Sequence, residues 1–393
     1  MAKSRRIYLD NAATSWPKPE AVYAAVDRYQ RELGAPAGRS VYRQAAEVER
    51  LVLDTRRQVA ELIGAEDPSR VVFTCNGTDA LNLALHGLLR PGDHVVTTVA
   101  EHNSVLRPLR YLEDQRRVSV TRVRCNATGW VDVDDIRDAI TPRTRLIAMV
   151  HASNVTGALQ PVEDVGRLAR ERGLLYLVDA AQSVGHVPVN VRWIGASVLA
   201  TSGHKGLLGP LGSGLLYIAP GVEQQLEPLR QGGTGSQSLD DRQPRMLPDK
   251  YESGNLNVPA IVGLGAGIAY LRKRGLDEVR RHAMQLTQLL VDGLHGIAGV
   301  TVYGPLKAEQ RVGVVTVTIN GYEPQVLAAM LDASYGVQTR AGAHCAPLMH
   351  AALGTLNLGG AVRFSLGAFS TEAEILLAIR AVAEIAAAAG KQA

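Results

Sequence analysis

Between about residues 71 and 218, short β-branched and aliphatic runs alternate with stretches whose apolar positions recur at helical spacing. The runs 71–74, 94–99, 118–123, 146–150, 174–178, 198–200 and 215–218 predict seven strands. Several are apolar on both alternations, the pattern of strands covered on both faces. Residues 78–89 place Leu81, Leu85 and Leu88 on one helical stripe. Residues 161–172 predict a second helix with Pro161 at its first position. Strand and helix in alternation imply an α/β architecture with a mostly parallel, doubly wound sheet.

From 229 to 259 the texture changes to Gly, Ser, Asp, Gln and Pro. An irregular connection of this length inside a compact protein is usually functional or a domain crossing. Helical patterns follow at 258–271 and 276–294, strand patterns at 312–319 and 362–366, and a short helix opens at Glu323-Pro324. A capping box, Thr371 to Glu374, starts a last helix running to about Ala388. This reads as a smaller α+β domain, and no internal repeat is visible. Gly263, Gly265 and Gly267 fall on a helical pattern and read as a packing face.

Composition narrows the class. The 393 residues are 46% apolar and 20% charged, ordinary values for a globular chain with a sizeable core. Net charge is +4, and the basic pairs Arg5-Arg6, Arg116-Arg117 and Arg280-Arg281 are isolated, so nothing calls for nucleic acid. Three cysteines, Cys75, Cys125 and Cys345, give no disulfide framework and fit a reducing cytoplasm. The N-terminal residues lack a secretory apolar core, and 258–271 is too short to span a bilayer.

In an open parallel sheet, ligands bind beyond the carboxyl ends of the strands. Five predicted strands end in polar groups: Asn76-Gly77-Thr78-Asp79, Glu101-His102-Asn103, His151-Ala152-Ser153-Asn154, Asp179 with Gln182, and Thr201-Ser202-Gly203-His204-Lys205. Five such clusters at one end argue for a single pocket. Gly77-Thr78 opens a helix, whose free N–H groups suit an anion such as phosphate or merely an ordinary cap. No P-loop string occurs, nor a G-x-G-x-x-G after the first strand. Lys205 at a strand end amid glycines reads as a Schiff-base lysine. Asp179 is the partner a protonated pyridine nitrogen would need.

These strings resemble the class V aminotransferase group of fold-type I pyridoxal-phosphate enzymes, and within it the cysteine desulfurases. The resemblance rests on Tyr8-Leu9-Asp10-Asn11-Ala12-Ala13-Thr14, Asn76-Gly77-Thr78, Glu101-His102-Asn103-Ser104, Ser153-Asn154-Val155-Thr156-Gly157, Asp179-Ala180-Ala181-Gln182-Ser183, Ser202-Gly203-His204-Lys205 and Arg340-Ala341-Gly342-Ala343-His344-Cys345-Ala346. It implies pyridoxal 5'-phosphate as cofactor, with no metal. Lys205 would hold the cofactor covalently and then act as acid and base at the substrate Cα. Asp179 would pair with the pyridine nitrogen, His102 would stack on the ring and Gln182 would bond the phenolic oxygen. Gly77, Thr78, Ser202 and His204 would bind the phosphate. Thr234 would reach the phosphate of the neighbouring subunit of a homodimer. Asn154 and Arg363 would hold the substrate carboxylate, with Asn11 and Arg340 also at the substrate and Arg340 supporting the cysteine loop. The expected division is 20–257 as the large cofactor domain, and 1–19 with 258–393 as the small domain bearing Arg363 and that loop.

Cys345 separates the possible reactions. Cys75 and Cys125 read as small core residues. Cys345 instead lies in a polar loop beside Arg340 and His344, and nearby cations favour the nucleophilic thiolate. In the family this thiolate takes the sulfur of L-cysteine, leaving L-alanine and a persulfide on Cys345 for a sulfur-acceptor protein. The short loop resembles the subgroup that uses a dedicated acceptor. The pattern departs from the family at Ala343, at Thr234-Gly235-Ser236 and at Gly38-Arg39-Ser40-Val41-Tyr42, all near expected substrate or acceptor contacts. Alternatives are selenocysteine lyase, another C–S lyase, a class V aminotransferase or epimerase, and a non-catalytic scaffold. Cys345 with His344 and His350 lacks the spacing of a zinc site.

Overall fold

The computed structural model describes residues 6–38 and 40–389; Arg5 and Arg39 lie outside the described residues. The strands are β1 (Ile7–Tyr8), β2 (Val71–Thr74), β3 (His94–Thr98), β4 (Ser119–Val123), β5 (Thr144–Val150), β6 (Leu175–Asp179), β7 (Val198–Ser202), β8 (Gly214–Ile218), β9 (Val300–Tyr303), β10 (Val314–Ile319), β11 (Val337–Gln338), β12 (Arg340–Gly342) and β13 (Ala361–Ser365). β2 to β8 form a seven-stranded sheet in the order β2-β8-β7-β6-β5-β3-β4. Every predicted strand of the 71–218 region is present to within two residues at either end.

The double apolar alternation has the expected cause. On β5, Leu146 and Ala148 enter one core, while Ile147 and Met149 enter the core on the opposite face. Phe73, Val178, Leu199 and Leu215 join the second of these, and Val72, Leu177, Val198 and Leu216 the first. Only the edge strand β4 is substantially open to solvent.

One strand runs against the rest: β8 pairs antiparallel with both β2 and β7. The link 203–213 between β7 and β8 has no room for a crossover helix, which needs roughly a dozen residues or more. This short return carries His204 and Lys205 across the carboxyl end of the sheet.

The helix Val258–Arg274 packs its small residues on the helices Glu20–Arg28 and Arg43–Ile63. A Cβ at Gly267 would approach Leu207 O to 2.5 Å, so these glycines do mark a packing face. Pro161 stands one residue before its helix, Val162–Glu171, rather than at the first helical position. The helices Arg43–Ile63 and Asn103–Arg116 and the strand β9 are additions to the elements read from sequence.

A second, antiparallel sheet has the order β12-β13-β10-β9. The helices Leu276–His295 and Glu372–Ala389 cover it with Leu286, Leu290, Leu294, Ile375 and Val382. The capping box is formed: Thr371 N donates to Glu374 Oε2 (2.9 Å) and Glu374 N to Thr371 Oγ1 (3.4 Å). β1 pairs in parallel with β11, and Asp10 bridges to Ser365 of β13. Among the described residues no helix is long and apolar enough to cross a membrane.

Candidate active site

The strand ends and the second sheet enclose a cavity of about 390 Å³. Gly77, Thr78, His102, Asn154, Gln182, Ser202, His204, Lys205, Arg340 and Arg363 line it, together with His344. Ten of the residues singled out from sequence thus meet in one place. A wider cavity of about 760 Å³ adjoins, sharing Thr78 and His102 and bounded by Cys345, Arg107 and Tyr111. Cys345 therefore lies where the inner site opens outward.

Asn76 caps the helix Gly77–Leu88, its side chain accepting from Asp79 N (2.9 Å). Gly77 N donates to Ser202 Oγ (3.3 Å). A Cβ at Gly77 would sit 2.6 Å from that oxygen, so the bare glycine leaves room for the Ser202 hydroxyl to take this bond. Thr78 Oγ1 meets Ser104 Oγ (2.7 Å), and His102 Nδ1 accepts from Ser104 N (3.0 Å). His102 thereby caps the helix Asn103–Arg116, and its neutral ring carries the proton on Nε2. Burial, with Lys205 and Arg340 nearby, pushes His102 down to about 4.

Asp179 ends β6, buried, with Oδ1 accepting from Ala181 N (3.0 Å). Burial raises its carboxyl above the usual range, while Ala181 N–H and Lys205 pull it down. Burial lowers Lys205 to about 8, against the attraction of Asp179. Gln182 donates to Ala12 O (2.9 Å).

Arg363 is 1% exposed and crosses between the sheets. Its Nη2 pairs with Asp10 Oδ1 (2.9 Å) and its Nη1 donates to Asn154 O (3.1 Å). Arg363 Nε, Asn154 Oδ1 and His204 Nδ1 are buried without a partner. Buried polar atoms are normally satisfied, so three such atoms around one cavity mark a site built to take a polar ligand. A cationic amine, a buried carboxylate, an arginine and an anion-suited helix start fit pyridoxal phosphate and an amino acid.

Three expectations change, for Asn11, Cys75 and His344. Asn11 does not reach the cavity: its Nδ2 donates to Tyr8 O (3.2 Å) and Ser365 O (3.0 Å), and its Oδ1 accepts from Trp16 N (3.1 Å). Thr234, expected to serve a neighbouring subunit, lies outside this subunit's own cavity in the long loop, bonded to Ser236. Cys75 is exposed rather than a core residue, because the chain leaves the sheet at Thr74, and it borders the inner cavity. His344 supplies no cation to Cys345. Its ring is buried, pushed down to about 2 by burial and Arg363, and engaged with Arg340 O and His350. Of the strand-end clusters, Glu101 also turns inward, accepting from Thr98 Oγ1 (2.6 Å) and Val150 N (3.0 Å).

Cys345 is half-buried, with Arg340 Nη2 3.5 Å from its sulfur. His344 and Cys345 both have left-handed φ, 49° and 57°. For non-glycine residues each costs on the order of 1 kcal/mol, so the loop must be held. Asn154 Nδ2 donates to His344 O (2.6 Å) and Asn103 N to Cys345 O (2.7 Å). Asp10, Asn103 and Ser104 are site residues that the sequence reading gave no role. Their partners are far away in the chain or in the cap of an unassigned helix.

The profile of the aminotransferase class-V family matches residues 7–377. A probable cysteine desulfurase of Methanothermobacter thermautotrophicus is 38% identical over 97% of this chain and 94% of its own length. A cysteine desulfurase of Yersinia pseudotuberculosis is 33% identical over 87% of this chain and 85% of its own. The apo structure of a cysteine desulfurase from Thermococcus onnurineus superposes with a TM-score of 0.92 at 34% identity, covering 98% of this chain and 95% of that one.

Proposed function

The chain belongs to the class-V aminotransferase family, and from that membership we propose a pyridoxal-phosphate-dependent cysteine desulfurase. It converts L-cysteine to L-alanine and keeps the sulfur on Cys345 as a persulfide. The observation that carries this reading is the position of Cys345: it borders the outer cavity beside His102 and Thr78, with Arg340 3.5 Å from its sulfur.

When bound, the cofactor supplies an electron sink for the charge left at the substrate Cα. Lys205 holds it and moves the proton at Cα; an amine brought down to about 8 can do this near neutral pH. Asp179 keeps the pyridine nitrogen protonated, His102 covers the ring and Gln182 bonds the phenolic oxygen. Gly77, Thr78, Ser202 and His204 take the phosphate, with Thr234 contributed across a homodimer. Arg363 and Asn154 take the substrate carboxylate, and Arg340 stabilises the Cys345 thiolate. That thiolate attacks the substrate sulfur. An S–S bond forms, the C–S bond breaks, and the carbon fragment leaves as alanine after protonation. The persulfide then passes to an acceptor protein in the reducing cytoplasm, a setting that three free cysteines suit. The sequence division puts 20–257 in the cofactor domain and 1–19 with 258–393 in the small one; the helix Val258–Arg274 packs on the large domain, so we place it there and start the small domain's C-terminal part after it.

The test is mass spectrometry of the cofactor-loaded protein after L-cysteine. A sulfur adduct of about 32 Da on the Cys345 peptide, with alanine released, is expected. Intact cofactor absorbance with no adduct and no alanine would refute the reading.

A further inference from the structure

Behind the nucleophile lies a chain of buried polar groups that the reaction above does not use. His344, His350 and Thr355 are 2%, 0% and 0% exposed. His344 Nε2 is 3.1 Å from Arg340 O, His344 Nδ1 is 3.0 Å from His350 Nε2, and His350 Nδ1 is 2.7 Å from Thr355 Oγ1.

The proton positions follow from one end. A carbonyl oxygen only accepts, so His344 carries its proton on Nε2 and offers a lone pair at Nδ1. His350 must then donate from Nε2 and accept at Nδ1, and the Thr355 hydroxyl donates there. Each link holds one proton and both rings are neutral. Burial and the charge of Arg363 favour that state in both, and Arg340 adds to it at His344.

The chain ends on the residue whose guanidinium contacts Cys345. Its first ring belongs to the residue before Cys345, and those two residues carry consecutive left-handed φ. Asn154 and Asn103 fix the two backbone carbonyls from the large-sheet side. The imidazole chain ties the same turn through the His344 ring and Arg340 O.

We propose that His350 and Thr355 are positioning residues for the sulfur-accepting cysteine: with His344 they lock the left-handed turn and so hold the Cys345 sulfur on Arg340. This rests on the desulfurase reading. Without the chain, the turn relaxes toward ordinary φ and the sulfur leaves the guanidinium.

The test uses cofactor-loaded protein and four variants: Thr355→Val, Thr355→Ser, His350→Leu and His350→Gln. Two readouts are taken, kcat and KM for alanine release, and iodoacetamide alkylation of the Cys345 and Cys75 peptides. Thr355→Val and His350→Leu should lower kcat on the order of tenfold with KM within about twofold. Cys345 alkylation should slow at least about threefold while Cys75 is unaffected. Thr355→Ser, which keeps the hydroxyl, should retain near wild-type rates, and His350→Gln should recover part of the loss. Unchanged kcat and alkylation in Thr355→Val, or a loss that Thr355→Ser shares, overturns the proposal. If His350→Leu does not fold, the Thr355 pair decides. If the wild type releases no alanine, the desulfurase reading fails, while the alkylation ratio still tests the lock.

Discussion

Arg340 Nη2 stands 3.5 Å from Cys345 Sγ, closing a turn in which two successive side-chain-bearing residues are left-handed. Arg340 is thus the cation beside the sulfur in the proposed reaction, since His344 is buried and neutral. Arg340→Gln keeps a polar side chain but loses both the charge and the reach to the sulfur. Alanine release should fall on the order of tenfold, with the cofactor absorbance intact. Steady-state assays at saturating L-cysteine check this.

Cys345→Ser removes the acceptor of the sulfur without emptying the inner cavity. Sulfide and alanine formation should vanish, and the absorbance of bound cofactor should persist. Activity surviving this substitution would show that another group takes the sulfur.

Gly77→Ala puts a methyl group 2.6 Å from Ser202 Oγ, closer than carbon and oxygen can stay. Either the Ser202 hydroxyl turns away, giving up its bond from Gly77 N, or the helix start moves off β7, and both disturb the proposed anion site. Pyridoxal-phosphate affinity should drop roughly tenfold, about 1.4 kcal/mol, as measured by absorbance titration. Equal affinity would mean that the phosphate sits elsewhere.

Asp10→Asn breaks the 2.9 Å ion pair that aims Arg363. Arg363 then loses its anionic orienting partner while keeping its bond to Asn154 O. KM for L-cysteine should rise several-fold with kcat changed less, the pattern of weakened substrate binding. A change confined to kcat would place Asp10 in the chemistry instead.

Acid should destabilise the fold. Burial, the largest cause in each, pushes His102, His151, His186, His204 and His350 from 6.5 to about 4, and His344 to about 2. Above pH 6.5 these rings are neutral in both states and cost nothing. As pH falls below 6.5, only the unfolded chain takes up protons, so stability is lost progressively. Glu101, raised to about 8 by burial, and Asp179, also raised, act in the opposite sense. His94 is lowered by burial as well, so the histidines outnumber the two carboxyls and Tm should decrease steadily between pH 6.5 and pH 5. A flat Tm over that interval, by calorimetry, would contradict the buried neutral histidines.

The alternating strands and helices were legible because period and burial are local properties. β5 shows its two-sided burial in its own seven residues. The antiparallel turn of β8 was implicit in the shortness of 203–213, though only strand pairing displays it. Asp179 was legible as a candidate at the end of β6, and Ser202, His204 and Lys205 at the end of the adjacent strand β7, because a parallel sheet brings such ends together.

Other features had no local signal. Asp10 and Arg363 are joined across 353 residues. Asn11 lies in a recognisable string, yet the string does not say that its amide is consumed by Tyr8, Ser365 and Trp16. Cys75 looks like a core residue until the strand before it is seen to end at Thr74. The sequence by itself determined the fold class and the family, and it singled out Lys205 and Cys345 as candidates, because these depend on residue type and order along single elements. Only the tertiary structure decided which way each side chain faces and which groups share a proton. Those depend on distances between segments remote in the chain, fixed when the two sheets pack together.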